Sequence, residues 1–149
     1  MKKRVFIVAL SGCVLTLLLA ASAYAQLPGA PLRANIPFDF NVRGKTLPAG
    51  EYEIRRIGDE ANGLEVLNIH QNREHAMFDT EPVERGQMAR HGEIIFHRYG
   101  DTYFLYEVWT AGLETGRELP RSKEERFLRS ETASNAGRSG PQSVSVAVY

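Results

Sequence analysis

The sequence predicts a mainly β domain, a single antiparallel β-sandwich or small barrel-like unit with one short peripheral helix near its C-terminus. Three observations predict it. Apolar and polar residues alternate in several short runs, the pattern of strands with one buried face. Turn-forming residues separate those runs, at Leu47–Gly50, Gly58–Gly63 and Gly100–Asp101. Helix-start chemistry is confined to the stretch after Ser122.

Taken in order, Gln26 to Arg33 holds Pro28, Gly29 and Pro31 and reads as an extended lead-in. Ile36, Phe38, Phe40 and Val42 then alternate with Pro37, Asp39, Asn41 and Arg43, which predicts one strand. Pro37 has no N–H for a ladder, so it fits the start of that strand or a sheet edge. In the turn that follows, Pro48 presets φ and Gly50 supplies a residue able to take positive φ. Glu51 to Ile57 is the next strand, with Tyr52 and Ile54 inward. Leu64 to His70 is a strand of mixed phase, and Glu74 to Thr80 is a strand with Ala76 and Phe78 inward. Glu81 to Gly92, with Pro82 and Gly86, reads as a long loop.

The strongest local signal is a hairpin. Glu93 to Tyr99 and Thr102 to Trp109 flank the two-residue loop Gly100-Asp101, a length that fixes register. Tyr99 should face Thr102, Arg98 face Tyr103, His97 face Phe104, Phe96 face Leu105 and Ile95 face Tyr106. Large side chains on both faces of Tyr103 to Trp109 predict a central strand covered on two sides. Ser122 and Glu125 have capping-box spacing, which predicts a helix over Lys123 to Ser130 with Phe127 and Leu128 as its apolar contacts. The segment 132–143 is rich in Ser, Gly and Asn and reads as a flexible linker. Val144, Val146 and Val148 then alternate with Ser145 and Ala147, so 144–149 is expected to rejoin the sheet as a terminal strand.

The first 25 residues are read separately from the β domain, which is assigned to 26–131. Lys2, Lys3 and Arg4 precede an apolar run from Val5 to Ala23, and Ala23-Tyr24-Ala25 supplies the small-x-small pattern of a signal-peptide cleavage site before Gln26. Two other arrangements use the same residues. A 19-residue apolar run is close to the length that spans a bilayer, giving an uncleaved anchor. Leu10-Ser11-Gly12-Cys13 matches a lipobox, giving a lipid anchor on Cys13, although Val5 to Leu10 would be a short apolar region for that purpose. A periplasmic or secreted location is the expectation.

Loss of the leader removes three of the 18 basic residues and none of the 18 acidic ones, leaving a net charge of −3. A mildly acidic domain without a basic stripe gives no footing for nucleic acid. Cys13 is the sole cysteine, so the mature domain has neither thiol chemistry nor Cys-based zinc sites.

Catalytic patterns are sparse. His70 and His75 are five apart and His91 and His97 six apart, spacings that form no local metal clip on a strand or a helix. No Gly-x-Ser-x-Gly elbow occurs. Glu51 and Glu53 share a strand face, and their alternation with Tyr52 and Ile54 marks that face as solvated. No catalytic, metal or cofactor-binding residue is therefore assigned, and no cofactor is expected. The best candidates for a ligand or partner surface are Tyr99, Tyr103, Tyr106, Trp109 and Arg98, on or beside one hairpin, since aromatic faces suit sugars and partner side chains. The competing expectation for them is core packing, with Arg98 against Tyr103 as a cation–π pair.

Three ordered blocks carry a resemblance: Ile36-Pro37-Phe38-x-Phe40-x-Val42-x-Gly44-Lys45-x-Leu47-Pro48-Ala49-Gly50-x-Tyr52, then Phe96-x-Arg98-Tyr99-Gly100-Asp101-x-Tyr103-Phe104-Leu105-x-x-Val108-Trp109, then Leu119-Pro120-x-Ser122-x-x-Glu125-Arg126. Together the sequence resembles an uncharacterised family of small exported proteins found in Acidobacteria. The resemblance implies export and a β domain and supplies no catalytic residues. The expected function is a non-enzymatic binding or structural role in the periplasm or cell envelope, toward a protein or glycan partner. The alternative is a carboxylate-dependent enzyme acting on glycans or other envelope material. A homodimer through an open strand edge is compatible with both.

Overall fold

The computed structural model describes residues 30–57, 62–71, 74–135 and 140–149. The leader, its cleavage point at Ala25 and Gln26, and Cys13 lie outside these. The described chain forms two antiparallel sheets packed face to face, with one helix on an outer face, as the alternation predicts.

The first sheet has the order β1 (Leu32–Ile36), β4 (Gly50–Arg56), β5 (Gly63–Asn68), β6 (His75–Asp79). The second runs β11 (Gln142–Ala147), β8 (Glu93–Tyr99), β9 (Thr102–Trp109), β10 (Thr115–Glu118), β7 (Glu81–Glu84). The short strands β2 (Phe40–Val42) and β3 (Lys45–Leu47) attach to it, β2 lying parallel to β9 with Asn41 opposite Phe104. Between the sheets lies a core of alternate side chains, including Leu32, Ala34, Ile36, Phe40, Tyr52, Ile54, Val66, Phe78, Ile94, Phe96, Leu105 and Val108. Phe40 meets Tyr52 and Phe96 edge-on at centroid distances of 5.1 and 5.4 Å.

Several expectations are corrected. The single strand foreseen over Ile36 to Val42 is two strands in different sheets. Ile36 ends β1 against Gly50, and Phe40 begins β2 against Leu47. Pro37 falls at the crossing, where its missing N–H leaves no ladder bond unmade. Gly50 does not have positive φ. The left-handed residues are Arg43 (φ 53°) and Gly44 (φ 89°), which close the tight β2–β3 turn as a two-residue loop requires. Gly50 serves a different need, because a Cβ there would come within 2.9 Å of Asn68 Nδ2.

Glu81 to Gly92 is not wholly loop, since β7 pairs with β10 and Pro82 lies opposite Arg117. β7 is the sheet's edge, a place where a proline is tolerated in a ladder. In the β8–β9 hairpin the register follows expectation from Tyr99↔Thr102 to Phe96↔Leu105. Ile95 then faces Glu107 rather than Tyr106, across a bulge that leaves Tyr106 unpaired.

The helix α1 (Lys123–Asn135) is longer than foreseen and takes in the start of the expected linker. Ser122 caps it, its Oγ accepting from the Glu125 N–H at 3.1 Å. Phe127 is 61% exposed and does not anchor it. The terminal strand rejoins the sheet: β11 pairs with β8, and Val144, Val146 and Val148 pack against the core. Beyond it, Arg33 and Tyr149 exchange backbone hydrogen bonds at 3.2 and 2.9 Å, joining the two sheets along one side. Among the described residues no helix is long and apolar enough to cross a membrane.

Candidate functional site

The five residues foreseen as a ligand surface are divided by the fold. Tyr103 lies toward the core, stacked on Phe38 at 3.9 Å with Arg98 5.5 Å above its ring. Tyr99, Tyr106 and Trp109 lie on the opposite, outer face of the second sheet. Tyr99 and Trp109 are buried there, and Tyr106 is half-buried. No continuous aromatic strip results, because the bulge at Tyr106 shifts the phase. Val108 turns into the core and Trp109 turns out.

Trp109 is covered by the Arg85 guanidinium, 3.9 Å from its ring centroid. Its indole N–H donates to Glu107 Oε2 at 2.7 Å, and Arg85 bridges Glu93 and Glu107. Burial works to raise the Glu93 carboxyl, but hydrogen bonds from Ser145 and Arg85 outweigh it and hold the group below its ordinary value.

The other outer-face cluster lies beneath α1. His97 and Glu125 are both buried, with His97 Nδ1 donating to Glu125 Oε1 at 2.7 Å. Tyr106 stacks on the imidazole at 3.7 Å, and the Arg121 guanidinium lies 5.1 Å from the Tyr106 ring. Burial, then the nearby Glu125 carboxylate, raises the Tyr99 hydroxyl. The capping-box spacing is present, yet Glu125 sends its side chain to His97, so what reads in sequence as a cap also clamps the helix to the sheet. Glu51, expected on a solvated face, binds the Tyr149 hydroxyl at 2.7 Å and His70 at 3.2 Å, and the Tyr149 bond chiefly lowers it. Among the described residues no three His, Cys, Asp or Glu side chains gather as metal ligands.

The concave feature with the most apolar lining is where the two sheets part at one end of the sandwich. It is a partly open cleft of about 70 Å³ lined by Leu32, Ile54, Leu64, Val108 and Leu113 together with Thr110, Thr115, Arg55, Arg56 and Arg117. Directly paired residues share a sheet face. Arg56 pairs with Leu64 and Arg117 with Val108, and both partners are core residues, so each arginine occupies an inward-facing position. Arg55 points the other way and pairs with Glu65 at 2.7 Å. Burial and then the neighbouring Arg56 lower the Arg117 guanidinium.

Sequence reasoning did not single out this cleft. Arg56 was within reach, since it continues the Tyr52, Ile54 alternation. Arg117 was not, because its facing depends on a pairing of β10 with β9 that no local pattern announces. A more open hollow lies between the β2–β3 turn and the start of α1, lined by Arg43, Arg121, Lys123 and Arg126. No family model, curated protein or solved structure matches this chain.

Proposed function

We propose that this is an exported, non-enzymatic β domain that binds a ligand or partner of the periplasm or cell envelope. The observation that carries the binding role is the inter-sheet cleft, which places two inward-phase arginines over an aliphatic floor. Arg117 is half-buried at an inward position, where a charge is costly, and a site gives a reason for it. Export is supported by the leader's charge and cleavage pattern and by the resemblance of the three blocks to small exported proteins. The core residues from Leu32 onward all belong to the segment that cleavage after Ala25 would release.

The carboxylates give the enzyme alternative little support. Glu51 and Glu93 are both held below the ordinary carboxyl range, the reverse of what a general acid needs. Mass analysis of the natively produced protein, with fractionation of the cells, tests the reading. The expected result is a chain starting at Gln26 in the periplasmic or secreted fraction. A full-length chain in the cytoplasm would overturn it, and a lipid-modified Cys13 would replace a free domain with an anchored one.

A further inference from the structure

Resting on that binding role, we propose that the inter-sheet cleft takes a single-chain aliphatic carboxylate, its head between Arg56 and Arg117 and its tail over Leu64 and Val108. The shape comes first. A partly open space of about 70 Å³ holds about five water-sized groups, enough for a short alkyl segment and too little for a sugar ring with its hydration. Its floor is aliphatic, from Leu32, Ile54, Leu64 and Val108, with Thr110 and Thr115 as further polar side chains beside the arginines.

The rim supplies the charge. Among the described residues Arg117 donates to the amide oxygen of Asn62 at 3.1 Å, and no carboxylate lies within ion-pair distance of Arg56 or Arg117. Arg33, Arg55 and Arg85 do have such partners, in Glu53, Glu65 and the Glu93–Glu107 pair, while among the described residues Arg43, Arg90, Arg126 and Arg129 also have none, so it is the position of Arg56 and Arg117 at the cleft that sets them apart. The guanidinium fork matches a carboxylate in two parallel hydrogen bonds. Both guanidiniums line the same cleft, so one bound carboxylate could meet them together. Head and tail thus meet the two halves of one cleft, which a purely apolar or purely charged ligand would not.

The test is calorimetric titration of the mature protein with octanoate, hexanoate, octanol and octylammonium, repeated with Arg56→Gln, Arg117→Gln and Arg117→Lys. Octanoate should bind with a Kd of about 0.1 mM. Hexanoate should bind within about threefold of octanoate, because its five-carbon tail already fills the space. Octanol and octylammonium should bind at least tenfold more weakly than octanoate. Each Gln variant should lose about tenfold toward octanoate, and Arg117→Lys should recover part of it.

Equal binding of octanol and octanoate would overturn the assignment of the head. Unchanged affinity in the Arg56→Gln variant, whose exposed position spares folding, would overturn the assignment of the site. No binding at 10 mM would overturn the proposal outright, as would tighter binding by a leucine-ended peptide carboxylate. The arms are separable. Failure here leaves an exported domain with another ligand, whereas a cytoplasmic full-length chain defeats the functional reading and leaves the cleft's chemistry to stand on its titration.

Discussion

Gly116 shows how one absent carbon can set the packing of the largest side chain. A Cβ at this position would lie 2.6 to 2.8 Å from three atoms of the Trp109 ring. Gly116→Ala should therefore cost about 2 kcal/mol by overpacking, read as a lower denaturation midpoint and a changed tryptophan emission. Glu93 supports a pH prediction. Its carboxyl is lowered in the folded state, so its contribution to stability is present above the ordinary value of 4.5 and is lost as pH falls through the lower folded value. The stability of Glu93→Gln should accordingly depend less on pH below about 4.5 than that of the unaltered protein, as measured by urea unfolding across the acid range. Residue identities were legible in sequence more readily than residue partners. Tyr99, Tyr103, Tyr106 and Trp109 were visible as a group, but a one-residue bulge decides which face each one takes, and nothing in the local pattern marks Tyr106 as the extra residue.

The helix α1 is attached to the sheet by a polar contact, although its sequence suggests an apolar one. Glu125→Ala leaves His97 buried without its partner and should cost about 3 kcal/mol. Ser122→Ala should cost about 1 kcal/mol through the lost cap. Phe127→Ala should fall within about 0.5 kcal/mol of neutral, because that ring is exposed. Thermal melts of the three variants check this ranking, and an order led by Phe127 would contradict the clamp. Strands with an unbroken local signal were read accurately: β4 and β6 have the inward residues their alternation predicts, and the first four pairs of the β8–β9 hairpin follow its loop length. Three elements, β1, β2 and β7, escape the periodicity for a shared physical reason. β1 and β2 have one continuous alternation although Pro37 sends them to different sheets, and β7 is a short edge strand whose Pro82 looks like a breaker. In both cases the deciding factor is which neighbour the backbone meets across space, and periodicity does not carry that information.

Across the whole molecule, the sandwich depends on its C-terminal strand. β11 covers the edge of β8 and brings Val144, Val146 and Val148 onto the core, each half-buried. Removing residues 140–149 should cost about 3 kcal/mol from that burial, lower Tm by about 10 °C and leave β8 as an open edge prone to association. Scanning calorimetry and light scattering on the truncated chain check both effects. The same closure explains why fold class was legible while topology was not: alternation announces strands, but the order β11-β8-β9-β10-β7 joins segments far apart in the chain. The backbone bonds between Arg33 and Tyr149 have a kinetic consequence as well. They join segments far apart in the sequence, so loop-closure entropy places the joining of the two sheets along this side late in folding.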